Sequence, residues 1–306
     1  MAATTDQDSP RRPSVSDRMR HAPVESGLGM RPVRVDDAGI ALRAPLTPGT
    51  RDATGRVVPL LVAMLADSGI GYLVFSAAKL VAGAPTVDLR IDQVGPASPA
   101  ATAVTAELTL LHLDDRIGLG RAEVRDDTGT LVAHAVATMA LTGVPERPGG
   151  LADPGSGLSG AAPAGDDAER SDPADFRAHV LPFDPDRLRP ENLHTEPGAG
   201  GEPEVVFTPG ASATNLNGTT HGAVLAGLGQ AAQSLFLTRR GPGPPAPGAR
   251  PLSISVDYLR PAQVDVVLRA RTEQVRDGRR FWTLRTELVL PDGRPAVRIT
   301  GNGIWG

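Results

Sequence analysis

The chain has no cysteine, one lysine, few aromatic residues and no excess of positive charge. Each shortage closes off a class of function. Without cysteine there is no disulfide framework, no thiol nucleophile and no cysteine-bound metal. Aromatic residues make up 3% of 306 positions, too few for a base-stacking platform, and a net charge of −4 leaves no basic footprint. Nucleic acid is therefore not an expected partner. Apolar runs are short as well: the longest candidate, residues 60–84, is interrupted by Asp67 and Lys79, so no membrane span is expected. The first twenty residues carry Asp, Pro and Arg where a signal peptide would be apolar, which makes the cytoplasm the expected compartment. Lys79 is the only lysine among 31 basic residues, and Ala, Gly, Pro and Arg abound, a bias typical of a GC-rich bacterial genome.

What is present falls into two halves. Residues 1–25 show no hydrophobic period and read as a mobile tail; residues 144–175 are dense in Gly, Pro, Ala and Asp and read as a linker. The expected domains are therefore 26–143 and 176–306, with a further Gly/Pro-rich surface loop at residues 241–251. Each half holds a helix-compatible apolar segment, then an alternating strand ending in Pro-Ala, then two strands joined by a Gly-containing turn. Asp67 and Gln230 lie 163 residues apart, Pro96 and Pro261 165, Gly129 and Gly293 164. Offsets this similar point to duplication. One buried helix followed by antiparallel strands, twice over, is an α+β layout.

The segments TVDLRIDQVGPA (86–97) and SISVDYLRPA (253–262) resemble the strand that follows the central helix in PaaI-like hotdog thioesterases. NLNGTTHGA (215–223) resembles that family's Asn-x-x-Gly-x-x-His-Gly-Gly segment at the start of the helix. The likeness covers about residues 26–143 and 176–306. It implies two tandem hotdog domains, each a long helix wrapped by a curved antiparallel sheet, paired as an intramolecular pseudo-dimer. It also implies active sites at the interface, each taking Asn and His-Gly from one unit and an acid, nine positions after the His, from the other.

The halves depart from that pattern in complementary ways. The second keeps Asn215, Gly218, His221 and Gly222 but has Gln230 in place of the acid. The first keeps the acid as Asp67, while Val58, Pro59 and Leu60 replace His-Gly-Gly, and Arg51 or Asp52 stands near the expected Asn. One interface would then join Asp67, with Thr86 beside it, to Asn215, His221 and Gly222, and the opposite one would be dead. On this reading Gly222 presents a backbone N–H at a helix N-terminus to a developing oxyanion, and Asp67 acts as base on water or as nucleophile. Bland roles stand beside these: Asp67 as a buried carboxylate, Asn215 as a turn cap, His221 as loop support, Gly222 as a packing residue.

The activity implied is hydrolysis of an acyl thioester. Coenzyme A or the phosphopantetheine of an acyl-carrier protein would arrive with the substrate, and no other cofactor or metal is expected. Among the other histidines, His112, His134, His179 and His194 have no ligand spacing, which speaks against zinc. Arg276, Arg279 and Arg280 cluster at a hairpin turn and read either as contacts to coenzyme A phosphates or as solvated surface charge. Two other functions stay open: a non-catalytic acyl-thioester binding module, and an enoyl-thioester hydratase or dehydratase. Association of whole chains into a homo-oligomer is also consistent with the resemblance.

Overall fold

The computed structural model describes residues 14–36, 39–52, 54–80, 83–141, 180–198, 201–240 and 249–305. Two short helices, α1 (Val15–Arg20) and α2 (Pro23–Gly27), precede the long α3 (Pro59–Ala77), and a second long helix, α4 (Gly222–Arg240), lies in the other half. The first half contributes strands β1 (Arg31–Asp36), β2 (Gly39–Pro45), β3 (Thr86–Gln93), β4 (Ala103–Leu113), β5 (Ile117–Asp126) and β6 (Leu131–Ala140). The second contributes β7 (His194–Pro197), β8 (Pro203–Phe207), β9 (Arg250–Tyr258), β10 (Leu268–Asp277), β11 (Phe281–Val289) and β12 (Pro295–Ile304).

All twelve strands form one antiparallel sheet in the order β1-β2-β4-β5-β6-β3-β9-β12-β11-β10-β8-β7. The order is a palindrome in the two halves, and β3 pairs with β9 at its centre. There the register is itself symmetric: Leu89 faces Val256 and Ile91 faces Ile254 on either side of the pair Arg90 and Ser255. β6 and β12 even share one burial pattern along their ten residues. Every second residue of β5 is buried, the period-2 signature of a strand with one face on a core.

Pro59 opens α3 at a position where its fixed φ and missing N–H cost nothing. Fifteen of the helix's nineteen residues are buried, since the sheet curls around it and α4 covers what remains. Leu61, Met64, Leu65, Ile70 and Val74 are fully buried, each contributing about 1.5–3 kcal/mol relative to exposure. A Cβ on Gly69 would lie 2.8 Å from the Leu108 side chain, so this small residue serves close helix–sheet packing. Leu60 meets Gly227 while Asp67 meets Gly222, so the two long helices run in opposite directions against each other. Asp67 is thereby brought to the N-terminus of α4.

Three expectations need correction. By length and hydropathy alone α3 is apolar enough to cross a bilayer, because Asp67 is the only charge within it; its surface is taken up by the fold. The expected tail is not uniform: α1 and α2 occupy much of residues 14–25, and Val15, Met19 and Val24 are buried in the shared core. Their helices are too short for a hydrophobic period to emerge, and packing, not propensity, holds them. Arg250 and Pro251 belong to β9 and not to the preceding loop. The linker at 144–175 lies outside the described residues.

Candidate active site

At one of the two seams between the halves, groups from five elements converge. Asp67, in the middle of α3, is 4% exposed. Its Oδ1 accepts a 2.6 Å hydrogen bond from the hydroxyl of Thr86, the first residue of β3. Its Oδ2 lies 3.3 Å from Nδ1 of His221, which immediately precedes α4. A Cβ on Gly222 would sit 2.8 Å from the same oxygen and 3.2 Å from the Tyr258 ring, so only glycine lets the helix start approach the carboxylate.

The turn that delivers Gly222 is built by Asn215. Its Oδ1 accepts from the Asn217 and Thr219 N–H groups, and its Nδ2 donates to Thr219 Oγ1 at 2.9 Å. His221 is pinned by its own N–H to Ala213 O at 2.8 Å. The first N–H groups of a helix have no intrahelical partner. Here Val224 and Leu225 N–H donate to the His221 carbonyl, and Ala223 N lies 3.1 Å from His221 Nδ1, which in the imidazolium carries its own proton toward Asp67. Gly222 N–H has no partner among the described residues, and the positive end of the helix dipole lies behind it.

On the far side of the His221 ring sits Glu25 of α2, 2% exposed. One oxygen accepts from Ser68 Oγ at 2.6 Å and from Tyr72 Oη at 3.4 Å, and lies 3.7 Å from His221 Nε2. Burial works against a charged imidazole, but the bonds and charges of Asp67 and Glu25 outweigh it and push its pKa up to about 10. Burial would likewise raise Glu25, yet His221 and the Ser68 hydroxyl hold it below the usual carboxylate range. Tyr258 shifts the other way, its phenol raised well above the ordinary value by burial and the nearby Asp67 charge. Its hydroxyl stays neutral, buried and without a partner among the described residues.

The structure therefore brings Asp67, Thr86, His221 and Gly222 together. Asn215 acts at one remove, its amide spent within the turn. Arg276, Arg279 and Arg280 are exposed at the β10–β11 hairpin, where Arg276 stacks on Phe281. β11 starts opposite Ile304 and meets Val297, the partner of Tyr258, only at Leu288, roughly 20 Å along the strand. These arginines are not part of the cluster. Sequence reasoning missed Glu25, Ser68, Tyr72 and Tyr258. Ser68 and Tyr72 share a helix face four residues apart and Tyr258 lies in the strand motif itself, so those signals were present; Glu25 was hidden in the apparent tail.

At the opposite seam the duplicated positions carry different side chains. Pro59 stands for Gly222 and has no N–H to offer; Val58 stands for His221, Pro251 for Thr86, Gln93 for Tyr258 and Gln230 for Asp67. The Oε1 of Gln230 is buried and unpaired among the described residues. A cleft lined by Val57, Val62, Gln93 and Pro251 opens there.

A family model for the acyl-CoA thioesterase N-terminal domain matches residues 211–302, which span the Asn215–Gly222 turn, α4 and most of the strands after it. No curated protein matches. Among solved structures, a protein described as a thioesterase from Novosphingobium aromaticivorans is 14% identical, covering 90% of this chain and 98% of that one with a TM-score of 0.58. The tesB protein of Mycobacterium avium subsp. paratuberculosis is 11% identical, with coverages of 90% and 96% and a TM-score of 0.56. An acyl-ACP thioesterase from Bacteroides thetaiotaomicron is 12% identical, with coverages of 87% and 97% and a TM-score of 0.50. At these identities the likeness establishes the fold, two hotdogs in tandem.

Proposed function

We propose that this chain, a tandem hotdog protein whose second half matches the acyl-CoA thioesterase domain, hydrolyses acyl thioesters at the single seam where Asp67 meets the start of α4. The observation that carries the reading is this meeting: a buried carboxylate from one half within contact of a glycine N-terminus from the other.

Asp67, oriented by Thr86, takes a proton from water as the water oxygen attacks the thioester carbon. The carbonyl oxygen becomes an oxyanion, which needs donors fixed in advance. Gly222 N–H and the buried Tyr258 hydroxyl are two donors with no competing protein acceptor among the described residues. Collapse of the tetrahedral species breaks the carbon–sulfur bond, and the thiolate leaves and takes up the proton that Asp67 accepted. The carboxylic acid and the free thiol are the products. Nothing in this sequence of steps requires a metal or redox cofactor, and the carrier, coenzyme A or the phosphopantetheine of a carrier protein, arrives as part of the substrate.

The test is a panel of acyl-CoA thioesters with free-thiol detection. Thiol release is expected from the wild type, and Asp67→Asn should lower kcat by about 10²–10⁴-fold while leaving the fold intact. Undiminished release by the variant would remove the proposal. The 3.3 Å approach of His221 to Asp67 also suits acid–base hydration of an enoyl thioester. Product mass separates the two, since hydration adds water with the carrier still attached.

A further inference from the structure

We propose that Glu25 is a positioning residue for this reaction: from α2 it clamps the His221 ring against Asp67, fixing a carboxylate–imidazolium–carboxylate row behind the start of α4. The inference rests on the hydrolytic reading above and adds to it a residue from the N-terminal helices.

Three observations carry it. First, Glu25 is held firmly. α2 is wedged between α3 and the start of the second half: Phe183 N–H bonds Pro23 O at 2.9 Å, and a Cβ on Gly27 would collide with the Phe183 backbone. Ser68 and Tyr72 on one face of α3 then fix the carboxylate. Second, the charge is costly. A buried carboxylate destabilises unless paired, and apolar residues of similar volume often serve the fold as well or better. Glu25 Oε2 is buried without a partner among the described residues, so the site accepts an incompletely satisfied anion.

Third, the duplication supplies an internal control. The 163-residue offset that relates Asp67 to Gln230 takes Glu25 to Leu188, Ser68 to Ala231 and Tyr72 to Leu235. Leu188 is buried against Gly227 of α4. In the other half, where Val58 stands for His221, the scaffold is thus built at that place with apolar side chains, and the carboxylate with its two hydroxyl partners is found beside His221. A purely architectural role for Glu25 leaves this difference unexplained.

The groups facing the His221 ring are Glu25 from α2 and Asp67 from α3, with the Tyr72 and Tyr258 side chains nearby. With Glu25 removed, the ring loses one of its two anionic partners and holds its proton less tightly. The experiment follows His221 by 15N-histidine NMR in the full-length chain, for the wild type, Glu25→Gln and Glu25→Leu, alongside kcat and KM against pH on acyl-CoA thioesters. The wild-type ring should titrate near 10; both variants should lower that midpoint by about one pH unit or more, and the alkaline limb of kcat should move with it. At neutral pH kcat should fall about tenfold with KM within about twofold, and Glu25→Leu should unfold cooperatively at or above the wild-type temperature, as Leu188 does service in the other half. Ring titrations and kcat profiles that superimpose on the wild type would overturn the proposal, and so would a Glu25→Leu chain that no longer folds. If the wild type releases no thiol, the hydrolytic reading fails, while the ring titration alone still decides whether Glu25 holds His221.

Discussion

The two seams of this molecule share a backbone and differ in almost every polar side chain. At one, Asp67, Thr86, His221, Glu25, Ser68 and Tyr72 form a connected group around the free N–H of Gly222. At the other, the same positions hold Gln230, Pro251, Val58, Leu188, Ala231 and Leu235 around Pro59. The strand register and the helix pairing are the same at both, so neither the fold nor the sheet junction requires the charged group. The polar set is present as a unit at one seam and missing from the equivalent positions of the other. Burying two carboxylates and an imidazolium is expensive, and a duplicated scaffold needs the expense at one place only.

The comparison can be broken first at the seam that lacks the charged group. Leu188→Glu would bury a carboxylate with neither an imidazole nor a hydroxyl to meet it, and denaturant unfolding should show a loss of about 3–5 kcal/mol. A stability equal to wild type would mean the two environments are less different than their side chains imply. At the polar seam, Gly222→Ala forces a methyl group onto Asp67 Oδ2 and the Tyr258 ring; kcat should drop by about 10²–10³-fold with the chain still folded. The equivalent change at the other seam, Pro59→Ala, should leave kcat within about twofold. Tyr258→Phe removes one of the two proposed oxyanion donors and should lower kcat by about tenfold to hundredfold, whereas Gln93→Ala should not.

The smallest effect is in stability against pH. His221 has a folded pKa raised above its ordinary 6.5 to about 10, so its contribution is complete below the unfolded value and is lost as pH rises through the folded one. The melting temperature should therefore decline between about pH 6.5 and 10. Glu25, lowered in the fold, contributes above its unfolded value of about 4.5, and that contribution disappears on acidification through its folded value. A Glu25→Gln chain should show a shallower decline on the alkaline side, because its ring starts from a lower folded pKa.

Much of this architecture is legible in the sequence because burial writes it there. The near-uniform apolar run of α3, the alternation of β5 and β12 and the Gly turns all report long elements with one dominant environment. The short elements are not legible: β1, β2, β7 and β8 and the two N-terminal helices are too brief for a period, and their place is set by contacts distant in sequence. The site follows the same division. Asp67, Thr86, His221 and Gly222 stand in motifs whose spacing survives in one dimension. Glu25 reaches the ring only because Phe183, more than 150 residues later, pins α2 in place, and no local pattern carries that information.

The seam model is tested most directly by measuring thiol release from one acyl-CoA substrate, in a single assay at neutral pH, by the wild type, Asp67→Asn and Gln230→Ala. These two side chains occupy equivalent points of the two halves. Asp67→Asn should lose about a hundredfold or more and Gln230→Ala should stay within about twofold of wild type. Equal losses in both variants, or full activity in Asp67→Asn, would contradict a single working seam.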